Sequence, residues 1–149
     1  MITTERLKIY PADREQTEQL IICESDAELK QAYTEMLTEA LAHPNEWQWY
    51  CPWFIETSNG IRVGDLCFKG VSNGSVEIGY GVIDAHQGLG YATEAVTAAV
   101  EYALSQPEIS CVEAETDPCN LASQRVLEKC GFTPNGHLGE EGPRFVFSK

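Results

Sequence analysis

A glycine-rich loop, His86-Gln87-Gly88-Leu89-Gly90, lies between a strand-like segment and a helix-like segment. At the start of a helix, unpaired N–H groups converge and the helix dipole favours negative charge. Glycines let the backbone approach a diphosphate without a side chain in between. The loop therefore predicts a phosphate-binding site, although these residues alone do not say which phosphate is bound.

A single carboxylate lies in the strand-like segment ahead of this loop. Glu77 is the only acidic or basic side chain between Val76 and Ile83. Strand alternation puts it on the same face as Gly79 and Gly81, where the absence of side chains leaves room for a ligand. Burial there would raise the pKa of Glu77 towards a value that suits a general base. A substrate-orienting or solvated carboxylate is the alternative, and the residue pattern leaves both open.

The elements that would position these residues follow from periodicity. Alternating segments predict strands, and an i, i+3, i+4 spacing of apolar residues predicts helices. An antiparallel meander, a strand–loop–helix–strand unit, a helix and a closing hairpin predict a single α+β domain over residues 1–149. Strands are expected at residues 7–10, 53–57, 61–69, 76–83, 111–116, 132–133 and 144–148, and helices at residues 13–22, 29–43, 92–104 and 120–130.

The charge balance limits the partners. Ten Lys and Arg face 23 Asp and Glu, so the formal net charge is −13. Such a field repels nucleic-acid phosphates and suits a protonated amine substrate, although acidity that serves solubility alone is the more ordinary explanation. No apolar run reaches about 18 residues and the first residues carry no signal-peptide pattern, so we expect no membrane contact and a cytoplasmic location. The cysteines and histidines are too scattered for a ligand cluster, so no metal is expected.

Two motifs resemble a known family. Gln87-x-x-Gly90-x-Ala92, directly after a strand, is similar to the Q/R-x-x-G-x-G/A signature of the GNAT superfamily of N-acetyltransferases. A second motif, from Asn120 to Phe132, follows it at the separation found in the family. Each motif lies in its expected strand or helix context, and the two together make the resemblance specific. The segments that resemble its RimJ/RimL-like branch are the run from His86 to Ala95 and Asn120-Leu121-Ala122-Ser123-Gln124-Arg125-Val126-Leu127-Glu128-Lys129-Cys130-Gly131-Phe132; Thr4-Glu5-Arg6-Leu7 and Val63-Gly64-Asp65-Leu66 also resemble the family.

The resemblance implies a fold and a donor. The fold would be a mixed, mostly antiparallel sheet of about six to seven strands flanked by about four helices, with two strands splaying apart at the acyl-CoA site. Acetyl-CoA would be the co-substrate, with no metal. Its pantetheine arm would pair with Val82 and Ile83, and Asn120 and Ser123 would lie near the pantetheine and the thioester sulfur. Its diphosphate would lie on the amides of Gln87, Gly88, Leu89, Gly90, Tyr91 and Ala92.

The implied reaction is acyl-CoA-dependent N-acyltransfer, with acetyl as the expected group and direct attack by a primary amine in a ternary complex. Glu77 matches the strand carboxylate that serves as base in several relatives. Many relatives use as acid a tyrosine seven residues after the asparagine, but Leu127 stands there. Ser123 would donate a hydrogen bond to the leaving sulfur or, as we favour, only contact the ligand. Glu94 lies on the polar side of its helix and needs no role.

The acceptor and two rival functions stay open. The acceptor would be a small-molecule amine or a protein amine, and dimers among relatives leave a homodimer as an expectation. A degenerate relative could bind acyl-CoA as a sensor or scaffold, which Leu127 keeps open.

Gly88-x-Gly90-x-x-Thr93 is a near match to the dinucleotide fingerprint, but a Rossmann unit has this loop after its first strand and an acidic residue at the end of the next strand. Here the loop follows a meander, and Glu108 precedes the next strand.

Overall fold

The computed structural model describes residues 1–148, in which helices and strands follow one another much as the periodicity predicts. Two short 3₁₀ segments, Pro44–Trp49 and Asp84–His86, precede the third strand and the glycine loop. None of the helices in this range is both long and apolar enough to cross a bilayer. The strands are β1 (Ile2–Thr3), β2 (Leu7–Pro11), β3 (Pro52–Thr57), β4 (Arg62–Ser72), β5 (Ser75–Val82), β6 (Cys111–Glu115), β7 (Thr133–Leu138) and β8 (Pro143–Ser148), and the helices are α1 (Arg14–Cys23), α2 (Ala27–Ala42), α3 (Tyr91–Ser105) and α4 (Leu121–Lys129).

The strands form one sheet in the order β1-β2-β3-β4-β5-β6-β8-β7. Among the described residues, every neighbouring pair is antiparallel except β5 and β6. These two strands meet through three residue pairs, from Ser75↔Cys111 to Glu77↔Glu113, whereas β5 continues beside β4 to Val82. A wedge therefore opens between β5 and β6 after Glu77, which confirms the predicted α+β sheet with a splayed strand pair.

Helix α3 packs its alanine-rich face against the sheet beside this wedge. Ala95 and Ala99 are fully buried, and β5 contributes Val76 and Ile78, which are 1% and 2% exposed. Small side chains let the helix approach the strands closely, and burial of the apolar face stabilises the packing. The first turn of α3, and with it the glycine loop, is therefore fixed relative to β5.

Helix α2 contacts β4 on the opposite face of the sheet. The Tyr33 hydroxyl of α2 donates to Asp65 of β4 at 2.6 Å, and Asp65 pairs across the strands with Gly81. Both helices before β3 begin at an aspartate N-cap, since Asp13 and Asp26 accept hydrogen bonds from the first turns of α1 and α2.

The structure has eight strands within residues 1–148, rather than about six to seven. Strand β1 contains two residues, which are too few to show an alternating pattern. Strand β7 is mostly exposed and contains Pro134 and Gly136, so that only its start was predicted at residues 132–133. Proline and glycine are rare inside strands, and β7 tolerates them because it lies at the edge of the sheet.

Candidate active site

The glycine loop turns through two residues in the left-handed region. Gly88 and Gly90 have φ angles of +78° and +83°, which glycine adopts without strain. Gly90 also caps the start of α3. Six consecutive N–H groups there have no protein acceptor within residues 1–148, and such free donors at the positive end of a helix can hold an anion. They belong to Gly88, Leu89, Gly90, Tyr91, Ala92 and Thr93.

The Gln87 amide does not belong to this set. Its N–H donates to the Asp84 carbonyl at 3.3 Å, so the expected row of amides begins one residue later than predicted. The Gln87 side chain instead braces the strand, because its Nε2 donates to the Val82 carbonyl at 3.0 Å. Gln87 therefore shapes the loop, and its own amide is occupied.

At the open edge of β5, the carbonyls of Val82 and Ile83 each already accept one hydrogen bond within the protein. The Ile83 N–H donates to the Val63 carbonyl at 2.8 Å, and the Ile83 carbonyl accepts from the His86 N–H at 2.8 Å. Pairing of Ile83 with a pantetheine arm stays a prediction, and with its N–H occupied the carbonyl, which has a second lone pair, is the main-chain group left to take part. Strand alternation turns the main-chain groups of Tyr80 and Val82 towards the wedge.

The start of α4 reaches β5 through two hydroxyl groups. Asn120 caps α4 by accepting the Ser123 N–H at 3.0 Å. The Ser123 Oγ lies 2.7 Å from the phenol oxygen of Tyr80, and burial raises the pKa of Tyr80, so the phenol stays protonated. Leu127 is fully buried in the core, so packing occupies the position where the family resemblance led us to look for a tyrosine.

Cations hold both carboxylate oxygens of Glu77. Its Oε1 accepts from Arg144 Nη2 at 2.8 Å, and its Oε2 lies 3.0 Å from Lys69 Nζ. Burial raises the pKa of Glu77, but hydrogen bonds from Arg144 and Lys69 outweigh burial and lower the pKa below its ordinary value. The expectation of a raised pKa is therefore wrong, and Glu77 is ionised at neutral pH.

Arg144 gathers three carboxylates where the wedge begins. Besides Glu77, it donates through Nη1 to Glu115 Oε1 at 2.8 Å, and its Nη2 lies 3.6 Å from Glu113 Oε2. The Glu115 side chain is only 9% exposed, so this pair is shielded from solvent. The cluster therefore contains two cations, Arg144 and Lys69, and the three carboxylates of Glu77, Glu113 and Glu115, so its formal charge is negative.

Three residues that no sequence pattern singled out contact the candidate residues Ser123 and Glu77, namely Tyr80, Lys69 and Arg144. A plain hairpin through the Asn73-Gly74 turn would put Gly70 opposite Glu77, and Lys69 reaches Glu77 because the register shifts between Phe68 and Val71, which the sequence did not indicate. Arg144 lies 67 residues from Glu77 along the chain, and no local pattern links the two. Tyr80 offered only the general signal of an aromatic residue between two glycines in a strand.

Glu94, for which no role was expected, is bound by the N-terminal segment. Its Oε1 accepts from Arg6 Nε at 2.7 Å and its Oε2 from the Arg6 N–H at 3.0 Å. A groove of about 490 Å³ runs beside these residues along α3. It contains no residue of β5 or β6 and is therefore distinct from the wedge; its lining is Thr4, Gly90, Thr93, Glu94, Thr97, Ala98, Glu101 and Lys129.

The wedge, the loop and the α4 start all lie within one family match. Residues 6–133 match the family model described as Acetyltransferase (GNAT) domain. The chain belongs to the GNAT acetyltransferase family. In this GNAT domain the matched residues include Glu77 and Ser123, whereas Arg144 on β8 lies beyond them.

Known proteins resemble this GNAT domain in sequence and in fold. The Uncharacterized N-acetyltransferase YjdG of Bacillus subtilis (strain 168) is 32% identical over 112 residues, which are 73% of this chain and 66% of that protein. The chain thus spans just under two thirds of the length of this curated relative.

A GNAT-family acetyltransferase structure from Bacillus anthracis has a TM-score of 0.73 at 21% identity, and the match covers 99% of this chain and 97% of that chain. A dodecameric structure of spermidine N-acetyltransferase from Vibrio cholerae has a TM-score of 0.74 at 15% identity, with coverage of 97% and 95%. At these identities the two structures show the shared fold.

The GNAT fold excludes the dinucleotide-binding interpretation of the loop. A Rossmann unit has a mostly parallel sheet, with its glycine loop after the first strand. Within residues 1–148, β5 and β6 form the one parallel pair, and the loop follows the fifth strand. The near match to the dinucleotide fingerprint thus reflects the glycines that any tight anion-binding turn uses.

Proposed function

We propose that this GNAT domain is an acyl-CoA-dependent N-acyltransferase that transfers acetyl from acetyl-CoA to a primary amine, by direct attack in a ternary complex. One observation carries the proposal: the wedge between β5 and β6 opens onto an exposed loop with free amides at the start of α3. An extended ligand with an anionic middle fits this combination of a strand edge and a helix N-terminus. Membership of the RimJ/RimL-like branch is part of the proposal and rests on the sequence motifs.

On the donor side, each group of acetyl-CoA has a proposed partner. The pantetheine amides would pair with the open edge at Tyr80 and Val82, and the diphosphate would bind the free amides from Gly88 to Ala92. Ser123, held by the Tyr80 hydroxyl at 2.7 Å, would donate a hydrogen bond to the thiolate as it leaves. A thiolate is a good leaving group, so this weak donor is sufficient. No metal is part of the proposal.

A substrate ammonium must lose one proton to water before its nitrogen can attack and a second as the amide forms, and one negative charge must be stabilised on sulfur. The amine nitrogen attacks the thioester carbonyl, the C–N bond forms and the C–S bond breaks. Glu77 is the proposed carboxylate on the amine side. Its lowered pKa makes it a weak base, so we assign it the orientation of the ammonium and the acceptance of the proton through water.

The proposed acceptor is a primary amine, either a small molecule or a protein amine. The negative cluster around Arg144 and the net charge of −13 both favour a cationic substrate. The Vibrio cholerae relative is named for spermidine and is dodecameric, which supports a polyamine acceptor and a homo-oligomer, a homodimer at its simplest, as proposals here. A cytoplasmic location is proposed with them. The alternative, a catalytically degenerate acyl-CoA sensor or scaffold, is supported by Leu127 in the core.

A thermal-shift titration with acetyl-CoA, CoA and NAD tests the proposal. A ligand that binds only the folded state raises the unfolding midpoint by mass action. We expect the midpoint to rise with acetyl-CoA and CoA and to stay constant with NAD, followed by thiol release in an amine screen. No shift with either CoA species at saturation would overturn the proposed function. A shift without thiol release for any amine would favour the sensor.

A pair of glycine variants localises the binding. Gly88 and Gly60 have φ angles of +78° and +84°, and a Cβ added at either would meet nothing within 4 Å. Gly88→Ala and Gly60→Ala should therefore strain the backbone equally, by about 1–2 kcal/mol. Only Gly88→Ala puts a methyl group on the loop, so it alone should weaken CoA binding, by about tenfold or more. Equal CoA affinity in the two variants would place the diphosphate elsewhere.

A further inference from the structure

The segment from Thr4 to Arg6, here called the N-terminal strap, crosses the start of α3 behind the glycine loop. Arg6 Nη1 donates to the Leu89 carbonyl at 2.8 Å, and Arg6 Nε donates to Glu94 Oε1 at 2.7 Å. The Arg6 Cζ also lies 4.6 Å from the centre of the Tyr91 ring, within the range of a cation–π contact. One guanidinium group therefore contacts the loop, the first residue of α3 and the first turn of α3.

The strap is fixed at its other end as well. The Thr4 hydroxyl donates to Glu94 Oε2, and the Arg6 N–H donates to the same oxygen at 3.0 Å. Both oxygens of Glu94 are thus occupied by the strap, although the residues lie 88 positions apart along the chain. Planar guanidinium groups hold carboxylates in a defined geometry, which a single ammonium group does not reproduce.

The contact with Leu89 bears directly on the free amides. The Leu89 carbonyl lies between the two left-handed glycines, and Arg6 draws it towards the strap at 2.8 Å. A carbonyl that rotated to the ligand side would present a negative dipole to an anion and would turn the adjoining N–H groups away. A Cβ at Gly90 would lie 3.3 Å from Arg6 Nη2, so the glycine also leaves room for the guanidinium.

The contact with Glu94 removes an electrostatic obstacle. Burial raises the pKa of Glu94, but hydrogen bonds from Thr4 and Arg6 outweigh it and lower the pKa, so the carboxylate is charged at neutral pH. A negative charge in the first turn of α3 would oppose an anionic ligand bound at the same turn. Arg6 compensates this charge at 2.7 Å.

We propose that Arg6 is a positioning residue for acyl-CoA binding: from behind the loop it fixes the Leu89 carbonyl and neutralises Glu94, and thereby presents the free amides to the diphosphate. The inference rests on the proposed function, because it assigns the loop to acyl-CoA. Arg6 does not itself contact the ligand in this proposal. It adds a residue of the N-terminal strap to the donor site.

Three variants test the role of Arg6, with acetyl-CoA binding measured by calorimetry well below each unfolding midpoint. Arg6→Gln should raise the acetyl-CoA Kd about tenfold, the scale of one lost charge at a helix N-terminus. Arg6→Lys should recover only part of this loss, because an ammonium keeps the charge but cannot hold Leu89 and Glu94 in the same plane. The control is Arg14→Gln, which removes the same charge from an exposed Arg14–Glu18 pair on α1 and should leave the Kd unchanged.

The outcomes separate this inference from the proposed function. If the wild-type protein does not bind acetyl-CoA, the proposed function fails and the inference fails with it. If the wild type binds and Arg6→Gln binds equally well, only the inference is overturned. An equal loss in Arg14→Gln would also overturn it, since the effect would then be one of overall charge. A lowered midpoint of unliganded Arg6→Gln with an unchanged Kd would show a purely structural role and would overturn it too.

Discussion

Glu77 is held from two strands at once, by Lys69 of β4 and Arg144 of β8. Glu77 and Arg144 are each 22% exposed, so their attraction is less weakened by solvent than that of a surface pair. Lys69 is 47% exposed and is the more easily displaced partner. A substrate ammonium that approaches Glu77 would therefore compete with Lys69 first, while Arg144 keeps the carboxylate in place.

The lowered pKa of Glu77 predicts how stability depends on acid. A carboxylate with a lowered folded-state pKa contributes stability above its unfolded value, which is 4.5 for Glu, and loses this contribution as the pH falls through the folded pKa. Glu77→Gln should lower the free energy of unfolding at about pH 7 by about 1–3 kcal/mol, because two charged hydrogen bonds are lost. Below pH 4.5 the difference from the wild type should shrink.

Urea unfolding at several pH values measures this difference. The matched control is Glu18→Gln, whose pair with Arg14 is exposed on both sides and should cost little at any pH. A gap between Glu77→Gln and the wild type that stayed constant down to about pH 3 would contradict the assignment, because the pKa of Glu77 would then be the same in the folded and unfolded states.

At the scale of elements, Gly64 sets how closely β4 and β5 approach. A Cβ at residue 64 would lie 2.2 Å from the Gly81 carbonyl oxygen, well inside contact distance. At Gly81, by contrast, the nearest atom to an added Cβ is Asp65 Oδ1 at 4.0 Å. The hairpin that carries Glu77 to the wedge therefore depends on glycine at one of these positions and tolerates alanine at the other.

Gly64→Ala should thus destabilise the protein by about 1–3 kcal/mol, the usual cost of overpacking a buried position. Gly81→Ala serves as the matched variant and should cost much less, because neither steric overlap nor a positive φ opposes it. Chemical denaturation of both variants measures the difference in the free energy of unfolding. Equal stability of the two variants would mean that β4 and β5 move apart at little cost.

Residue patterns within a segment predicted the helices and the loop, because the residues of that segment themselves determine its conformation. Pro44 ends the segment that contains α2, and the alanine spacing of α3 marks its buried face, so both helices were predicted from sequence. Strand β7 was found only at its start, because Pro134 and Gly136 break its alternation. The loop glycines were predicted as an anion site because their backbone geometry depends on residue type alone.

The contacts around the site were not predictable in this way. Arg144 approaches Glu77 across 67 residues of sequence, and Arg6 approaches Glu94 across 88. No periodicity encodes such pairs, since they exist only once β8 and the N-terminal strap are docked on the sheet. The sign of the Glu77 pKa shift was wrong for this reason: burial was expected from the strand pattern, but the cations came from elsewhere.

At the scale of the whole molecule, charge repulsion and ion pairing act in opposite directions. Carboxylates exceed cations by 13, and this excess raises the free energy of the compact state. The ion pairs at Arg144 and Arg6 stabilise it, but they are short-ranged and partly shielded. Salt screens exposed charges that are far apart more than it screens close, half-buried pairs.

The unfolding midpoint should therefore rise when NaCl is increased from about 20 mM to about 200 mM at neutral pH, because screening relieves more repulsion than attraction. Calorimetry in the two buffers, with KCl as a check on ion identity, measures the shift. A fall in the midpoint with both salts would mean that the ion pairs outweigh the excess of carboxylates.

The three residue pairs between β5 and β6 also give the sheet a mechanical seam. The meander from β1 to β5 lies on one side of it, and β6, β8 and β7 lie on the other. Tension applied between β2 and β8 would load this short parallel contact, whereas the β4–β5 hairpin is joined along most of its length. A ligand inserted in the wedge would add main-chain hydrogen bonds just beyond the seam, and the force needed to separate β5 from β6 would then be higher.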